Sequence, residues 1–283
     1  MQVTVQQALV LAARRLTEAG LDGAARDARL LMAHVLQIDA SRITLVAPEA
    51  LDTGAQTAFD TCITRRCARE PVSHILGRRS FYGHDFTVTP DVLDPRPETE
   101  VLIAEALKKP FSSVLDLGVG SGAIVLSLLA EQPLAKGQGS DLSAKALAVA
   151  QSNADQLGLS SRVRFSQSDW FENITGLFDL IVSNPPYIAL DEMPDLSPEL
   201  SFEPRMALTD EADGLQAYRI ITAGALAHLR PRGRILLEIG PTQGSAVADM
   251  LLAQGFKAVR IVPDLDGRDR IVCAVAPHSN SIL

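Results

Sequence analysis

The sequence predicts an α/β fold: a seven-stranded, Rossmann-like sheet, parallel except for its last strand, preceded by a small helical bundle and a β-hairpin linker. Three observations predict it. Residues 1–72 carry only helical periodicity. From residue 112 onward, short β-type runs alternate with helical segments, the rhythm of βαβ units with helices on both sheet faces. Finally, the last two β-type runs are joined by a turn too short to hold a crossover helix, so the final strand must reverse direction.

Each element has a local cause. Thr4 and Gln7 form a capping box, and Val5, Leu9, Ala12 and Leu16 recur on one helical face until Gly20 ends the segment. A second helix begins near Asp22 and runs through Ala28, Met32, Val35 and Leu36; a short third covers Ser41 to Val46; a fourth runs from about Thr53 to Arg69 and stops at Pro71. Cys62 stands at helical spacing from Phe59 and Ile63, as a small core residue would. Past Pro71 the texture changes. Ile75-Leu76-Gly77, Phe81-Tyr82-Gly83 and Phe86-Thr87-Val88 read as β-prone pieces punctuated by glycine, a hairpin linker over 73–96. Pro97, suited to a first helical position, and the acids around it then open a second domain spanning 97–283.

In that domain the strands are Ser113 to Leu117, a short run to Ser140, Val163 to Phe165, Phe178 to Val182, Arg234 to Ile239, Phe256 to Val262 and Arg270 to Val275. Helices fall between them: one to Glu131, then Ser143 to Leu157, Gly214 to Leu229 and Gln243 to Gln254. The tight turn at Asp264-Leu265-Asp266-Gly267 makes the last strand antiparallel.

Composition narrows the function classes. Among 283 residues, 26 Lys and Arg stand against 34 Asp and Glu, a formal charge of -8. That is the wrong sign for a protein whose affinity rests on neutralising phosphates along a nucleic acid. The three cysteines and five histidines show no metal-ligand spacing, so neither a disulfide framework nor a metal is expected. No secretory pattern opens the chain and no apolar run is long enough to span a bilayer. The expected address is the cytoplasm, with no membrane partner. Nothing reads as an obligate interface, so a monomer is expected.

Four segments carry chemistry. In Gly118-Val119-Gly120-Ser121-Gly122 a strand enters a glycine-rich turn that opens a helix, which lets backbone N–H groups approach a ligand closely. Its Gly-x-Gly-x-Gly spacing differs from the Gly-x-Gly-x-x-Gly of dinucleotide folds, which disfavours a nicotinamide cofactor. Asp141 closes the next strand about twenty residues on, where an acid accepts hydrogen bonds from ribose hydroxyls; a helix N-cap is the competing account. Asp169 and Trp170 follow the third strand and could frame an adenine, although a Trp also suits plain packing.

Asn184-Pro185-Pro186-Tyr187 directly follows the fourth strand. Each proline fixes its own φ and pushes the preceding residue to extended geometry, so Asn184 and Pro185 are held with acceptors directed outward. The lone pair of a planar –NH2 on a π-system is delocalised and poorly nucleophilic. Two acceptors gripping both hydrogens turn it toward an electrophile, and Tyr187 can stack on the planar group to hold the attack angle.

This order of motifs resembles the seven-stranded S-adenosylmethionine-dependent methyltransferases that alkylate amide or exocyclic amino nitrogens. Further stretches narrow the resemblance to the release factor glutamine methyltransferases, the HemK type: Pro71-Val72-Ser73-His74-Ile75-Leu76-Gly77, Phe81-Tyr82-Gly83, Arg96-Pro97-Glu98-Thr99-Glu100, Phe202-Glu203-Pro204-Arg205-Met206-Ala207-Leu208 and Leu237-Glu238-Ile239-Gly240. The similarity covers nearly the whole chain. It implies methyl transfer to the side-chain N5 of the glutamine in the Gly-Gly-Gln tip of class 1 peptide chain release factors. The helical bundle would dock that protein, with no direct nucleic-acid contact.

By the same resemblance, Gly118, Val119, Gly120, Ser121 and Gly122 would cradle the methionine end of the cofactor, Asp141 its ribose, and Asp169 with Trp170 its adenine. Asn184 would hold the target amide and approach the cofactor, Pro185 would lend its carbonyl, Tyr187 would stack, and Pro186 would complete the substrate site. The turn departs from the family only in lacking the threonines that often occupy its x positions. The segment from Ile188 to Asp213 is too long for a simple connection and is expected to be a functional loop, with Arg205 either touching substrate or forming a structural salt bridge. Three rival functions share parts of this pattern: a ribosomal-protein glutamine methyltransferase, an N6-adenine DNA methyltransferase, which the acidic balance disfavours, and a non-catalytic adapter, which the intact Asn-Pro-Pro-Tyr disfavours.

Overall fold

A computed structural model describes residues 3–278. By its contacts the chain divides into two compact units, one of residues 3–78 with Ser197–Phe202, the other of Arg79–Leu196 with Glu203 onward.

The first unit is helical: α1 (Val5–Glu18), α2 (Ala24–Leu36), α3 (Ile43–Val46), α4 (Thr53–Cys67) and α5 (Val72–Leu76). Thr4 and Gln7 make the reciprocal capping box on α1, whose Val5, Ala8, Ala12 and Leu16 are buried. Asp52 caps α4 by accepting from the Ala55 N–H. Phe59, Cys62 and Ile63 join the buried stripe of α1 and Leu31 and Met32 of α2 in one apolar core, so Cys62 is a core residue. Ile75 and Leu76, read from sequence as β-prone, lie in α5 instead. Its last carbonyls, His74 and Ser73, are satisfied by the N–H of left-handed Gly77, which closes the turn as a helix C-cap.

One buried cation organises this unit. Arg66 of α4 contacts Asp27 of α2 at 2.8 Å and Glu199 at 3.2 Å, and donates to the Glu70 carbonyl. Arg69 also reaches Glu199, at 3.1 Å. The six-residue segment Ser197–Phe202 is thereby held by ion pairs from α4 and the turn after it.

The hairpin β1 (Arg78–Phe81) and β2 (His84–Thr87) precedes α6 (Glu100–Leu107). There follow β3 (Ser113–Leu117), α7 (Ala123–Glu131), β4 (Lys136–Asp141), α8 (Ala144–Gln156), β5 (Val163–Gln167), β6 (Phe178–Ser183), α9 (Arg205–Leu208), α10 (Gln216–His228), β7 (Leu229–Glu238), α11 (Gly244–Ala253), β8 (Lys257–Pro263) and β9 (Asp269–Val275). Strands β3 to β9 form one seven-stranded sheet in the order β5-β4-β3-β6-β7-β9-β8. The first five of these are parallel neighbours, whereas β9 is antiparallel to both β7 and β8. The central strands are buried on both faces, as parallel strands covered by helices must be. Two apolar cores result, one including α6 and α7, the other α10 and α11.

Strand order reverses at β3: its successor β4 lies on one side and β6 on the other. Such a switch point opens a crevice beyond the carboxyl ends of the strands. Every chemistry-bearing segment found in the sequence follows a strand at that edge.

Among the described residues no helix is long and apolar enough to cross a membrane.

Candidate active site

The turn after β3 is pinned to the end of β4. Gly118 and Val119 N–H both donate to the Ser140 carbonyl at 2.9 Å, and Gly120 N–H donates to Asp141 Oδ2 at 2.9 Å. Three of the N–H groups expected to face a ligand, those of Gly118, Val119 and Gly120, are therefore held by the neighbouring strand. What the turn offers instead is bare backbone. Gly118 and Gly120 adopt φ +71° and +52°, and a Cβ at either would meet nothing within 4 Å, so both border open space. Gly122 differs: a Cβ there would sit 2.9 Å from Leu126 Cδ1 and 3.3 Å from Ala150 Cβ, so this glycine allows α7 to pack closely on α8.

Asp141 closes β4 and also accepts from Ser143 N–H at 2.9 Å. The N-cap of α8 is Ser143, whose hydroxyl accepts from Ala146 N–H, so the cap role considered for Asp141 belongs to its neighbour. A carboxylate offers about four lone-pair sites, so with the Gly120, Ser143 and Leu142 N–H groups accepted Asp141 keeps a remaining site for a ligand hydroxyl. Burial raises its pKa, and the bonds from Ser143, Gly120 and Leu142 oppose that rise. Beyond β5, Asp169 is exposed and Trp170 half-buried at the edge of an apolar cluster. Trp170 has φ +45°, unusual for a bulky residue. Its carbonyl accepts from the Ser168 hydroxyl at 2.9 Å, and the same hydroxyl accepts from Asn173 N–H at 3.0 Å.

These elements surround one cleft that opens to solvent. Of the residues singled out in the sequence, Gly118, Val119, Gly120, Ser121, Asp141, Asp169, Trp170, Asn184 and Pro186 line it. Gly122, Pro185 and Tyr187 are outside that lining. The walls gain Phe81, Val92, Ile124, Leu142 and Ala146 as apolar contributors, and Arg96, Thr99, Pro204 and Met206 from the two segments flanking the mouth.

Asn184 leaves β6 with its Nδ2 donating to Thr99 Oγ1 across a long 3.4 Å. Pro185 is buried behind it. Burial pushes the Tyr187 phenol up to about 12, so it remains protonated at neutral pH and serves as a surface rather than a base. Gln243 staples this loop in place: its Nε2 donates to the Tyr187 carbonyl at 2.9 Å while its Oε1 accepts from Gly240 N–H at 3.0 Å.

Gly214 makes that staple possible. With φ +73°, a Cβ there would lie 2.4 Å from the Tyr187 carbonyl oxygen and 3.1 Å from Ala189 N. Backbone atoms on both sides cannot yield as a side chain would. Gly214→Ala is expected to displace Tyr187 and to cost about 2–3 kcal/mol, of which the left-handed backbone alone accounts for roughly 1–2. Gly158→Ala is the matched control, because φ is +68° there and nothing lies within 4 Å of a Cβ. Thermal melting of the two variants checks this, and equal losses would refute the steric part.

Arg96 lies between Glu203 and Asp94, bonded to the first and 3.9 Å from the second. Glu203 is buried. Burial raises its pKa, with the Arg96 charge the main opposing pull. This pair joins the Arg96-to-Glu100 and Phe202-to-Leu208 stretches beside the cleft. Arg205, in contrast, forms a two-pronged pair with exposed Glu211, at 2.6 and 2.9 Å.

Sequence reasoning passed over two buried acids as site candidates. Asp116, one residue before the end of β3, is fully buried, accepts from Val125 N–H at 3.2 Å, and is pushed up to about 8 by burial. Glu238, the last residue of β7, is buried and pushed up to about 7. The available signal was an acid inside an apolar run, Val114-Leu115-Asp116-Leu117 and Leu236-Leu237-Glu238-Ile239, since an ionisable group is rarely placed in a buried strand without a partner.

Two domain families match the chain. Residues 7–77 match the PrmC N-terminal domain and residues 93–200 the methyltransferase small domain. A release factor glutamine methyltransferase of Cereibacter sphaeroides is 54% identical over 95% of this chain and 98% of its own length. Another from Caulobacter vibrioides is 43% identical over 97% of each chain. Among solved structures, a methyltransferase from Pyrococcus furiosus shares the fold, with TM-score 0.55 at 16% identity over 70% of this chain and 91% of that one. Similarity of this extent, through both the helical unit and the sheet, places the chain in the release factor glutamine methyltransferase family.

Proposed function

We propose that this protein transfers a methyl group from S-adenosylmethionine to the side-chain N5 of the glutamine in the Gly-Gly-Gln tip of class 1 peptide chain release factors. The observation that carries the reading is the entry of Asn184 and Pro186 into the same cleft as Gly118, Gly120 and Asp141. The loop after β6 and the glycine turn thus border one space.

The residues present fit such a cofactor. The bare backbone of Gly118 and Gly120 would be filled by a Cβ, and Asp141 retains acceptor capacity toward a ribose hydroxyl. Asp169 and Trp170 line the same cleft and would take its adenine. When bound, S-adenosylmethionine supplies an electrophilic methyl group on a sulfonium. The rest falls to the chain. Asn184 Oδ1 and the Pro185 carbonyl accept the two N–H bonds of the glutamine amide, and Tyr187 stacks on its plane. That grip leaves the nitrogen lone pair pointing toward the methyl donor and needs no general base before attack.

The helical unit serves as the docking module for the protein substrate in this reading, and a chain of net charge -8 has little to offer a nucleic-acid backbone. The test offers the protein radiolabelled S-adenosylmethionine with purified release factor, ribosomal subunit or duplex DNA, each separately. Label is expected on the release factor at its Gly-Gly-Gln glutamine. Label on DNA alone, or on a ribosomal protein in preference to the release factor, would overturn the assignment.

A further inference from the structure

The corner after β5 holds a strained residue in the wall of the cleft. Trp170, at φ +45°, is a bulky side chain on left-handed backbone, a conformation that lasts only where its surroundings fix it. Local hydrogen bonds tie the flanking backbone: Glu172 N–H donates to the Asp169 carbonyl and Ile174 N–H to the Phe171 carbonyl, each at 3.0 Å, and Asn173 Nδ2 donates to the Gln167 carbonyl at 3.1 Å. The side chain next to the strained residue, Phe171, reaches α10. Its ring stacks on His228, with centroids 4.7 Å apart and planes 7° from parallel. One helical turn earlier on the same face stands Gly224, where a Cβ would lie 2.5 Å from Phe171 Cδ2 and 2.8 Å from its Cε2. Glycine is disfavoured inside a helix. Gly224, inside α10, therefore marks a slot kept open for the Phe171 ring.

We infer that Phe171 is a positioning residue: seated in the slot formed by Gly224 and His228, it holds Asp169 and Trp170 where they read the adenine of the cofactor. The inference deepens the proposed reaction and rests on its cofactor. Asp169 and Trp170 line the cleft, whereas Phe171, Gly224 and His228 are outside that lining, so the slot acts only through the backbone that joins Phe171 to Trp170. The Trp170 carbonyl is held on one side by the Ser168 hydroxyl, and the seated ring fixes the chain on the other. Lifting the ring out of its slot frees the strained backbone, and the indole and the Asp169 carboxylate leave their places together. Gly120 and Asp141, bonded to each other at the ends of β3 and β4, take no part in the slot.

The loss then falls on recognition of the base. Adenine offers its exocyclic –NH2 as a donor to an acid such as Asp169, while hypoxanthine presents a carbonyl oxygen at that position, acceptor against acceptor. Trp170 stacks on either base alike. The ratio of the two affinities therefore reports where the corner stands, and a general loosening of the fold lowers both together.

In the full-length protein, binding of S-adenosylhomocysteine and of S-inosylhomocysteine is measured by titration calorimetry, and the emission of Trp170, the only tryptophan, is recorded without ligand. The wild type is expected to favour the adenine compound by about tenfold, the weight of one hydrogen bond. In Gly224→Ala and in His228→Ala that preference is expected to fall below about threefold, with the Trp170 emission maximum shifted. His228→Phe, which keeps a stacked ring, is expected to return the preference to within about twofold of the wild type. An unchanged preference in Gly224→Ala, a His228→Phe no better than His228→Ala, or a wild type that binds both compounds equally would overturn the inference. If Gly224→Ala fails to fold, the two His228 variants decide alone. Should the wild type bind neither compound, the cofactor assignment fails, and the Trp170 emission of Gly224→Ala decides the slot, an unchanged maximum overturning it.

Discussion

Replacing Asn184 by alanine is expected to lower the turnover of methyl transfer by about 10²–10³-fold while leaving cofactor affinity within about tenfold. The asymmetry follows from the geometry. In the proposed reading, cofactor contacts would be distributed over the turn after β3, Asp141 and the Asp169-Trp170 corner, whereas Asn184 is the residue of the loop after β6 that would bring a side-chain acceptor to the target amide. Without it one N–H of the substrate goes unpaired, the lone pair stays conjugated with the carbonyl, and the chemical step slows even where the cofactor still binds. Titration calorimetry with S-adenosylhomocysteine and single-turnover transfer measure the two quantities separately. Turnover within about threefold of the wild type would remove Asn184 from its assigned role.

The second large effect concerns stability. Arg66→Ala is expected to destabilise the helical unit by about 3 kcal/mol, because it leaves Asp27, and in part Glu199, as poorly compensated acids in a largely buried setting. Arg69 still reaches Glu199, so Asp27 bears most of the loss. The double variant Arg66→Met with Asp27→Leu is expected to recover much of it, since replacing both partners of a buried pair removes the desolvation cost along with the attraction. Urea unfolding followed by hydrogen exchange in α2 and α4 reports on this unit directly. The only tryptophan, Trp170, belongs to the other unit and would miss it. A loss of less than about 0.5 kcal/mol for Arg66→Ala would mean that solvent already screens the cluster.

Much of the fold was legible because each local signal agreed with its neighbours. Helical periodicity with a capping box at Thr4, β-type runs separated by helices and a short final turn led to the observed sheet and its reversed strand. Ile75-Leu76-Gly77 was misread because a three-residue apolar run carries no period; Gly77, taken as strand punctuation, is a left-handed helix cap. The cleft residues were legible where a motif sits directly after a strand, as Gly118, Asp141 and Asn184 do. The supports behind them were not. Thr99 meets Asn184 across 85 positions of sequence, and Gln243 reaches Tyr187 across 56, so only the completed strand order brings either pair together. Nor could spacing reveal that Gly118, Val119 and Gly120 spend their N–H groups on β4, because that depends on the register between two strands.

The reversed strand has a consequence of polarity. Parallel strands bring only their carboxyl ends to the crevice, so a sheet of that kind draws each residue of its rim from a loop that follows a strand. Because β9 runs the opposite way between β7 and β8, its amino end arrives at the same rim, with Ile271 opposite Glu238 and Arg270 just before it. Arg270 is held there by Asp264 and by the Ile239 carbonyl. The far end of the chain thus contributes a fixed positive charge beside the buried Glu238 on that rim, and it does so without another crossover helix.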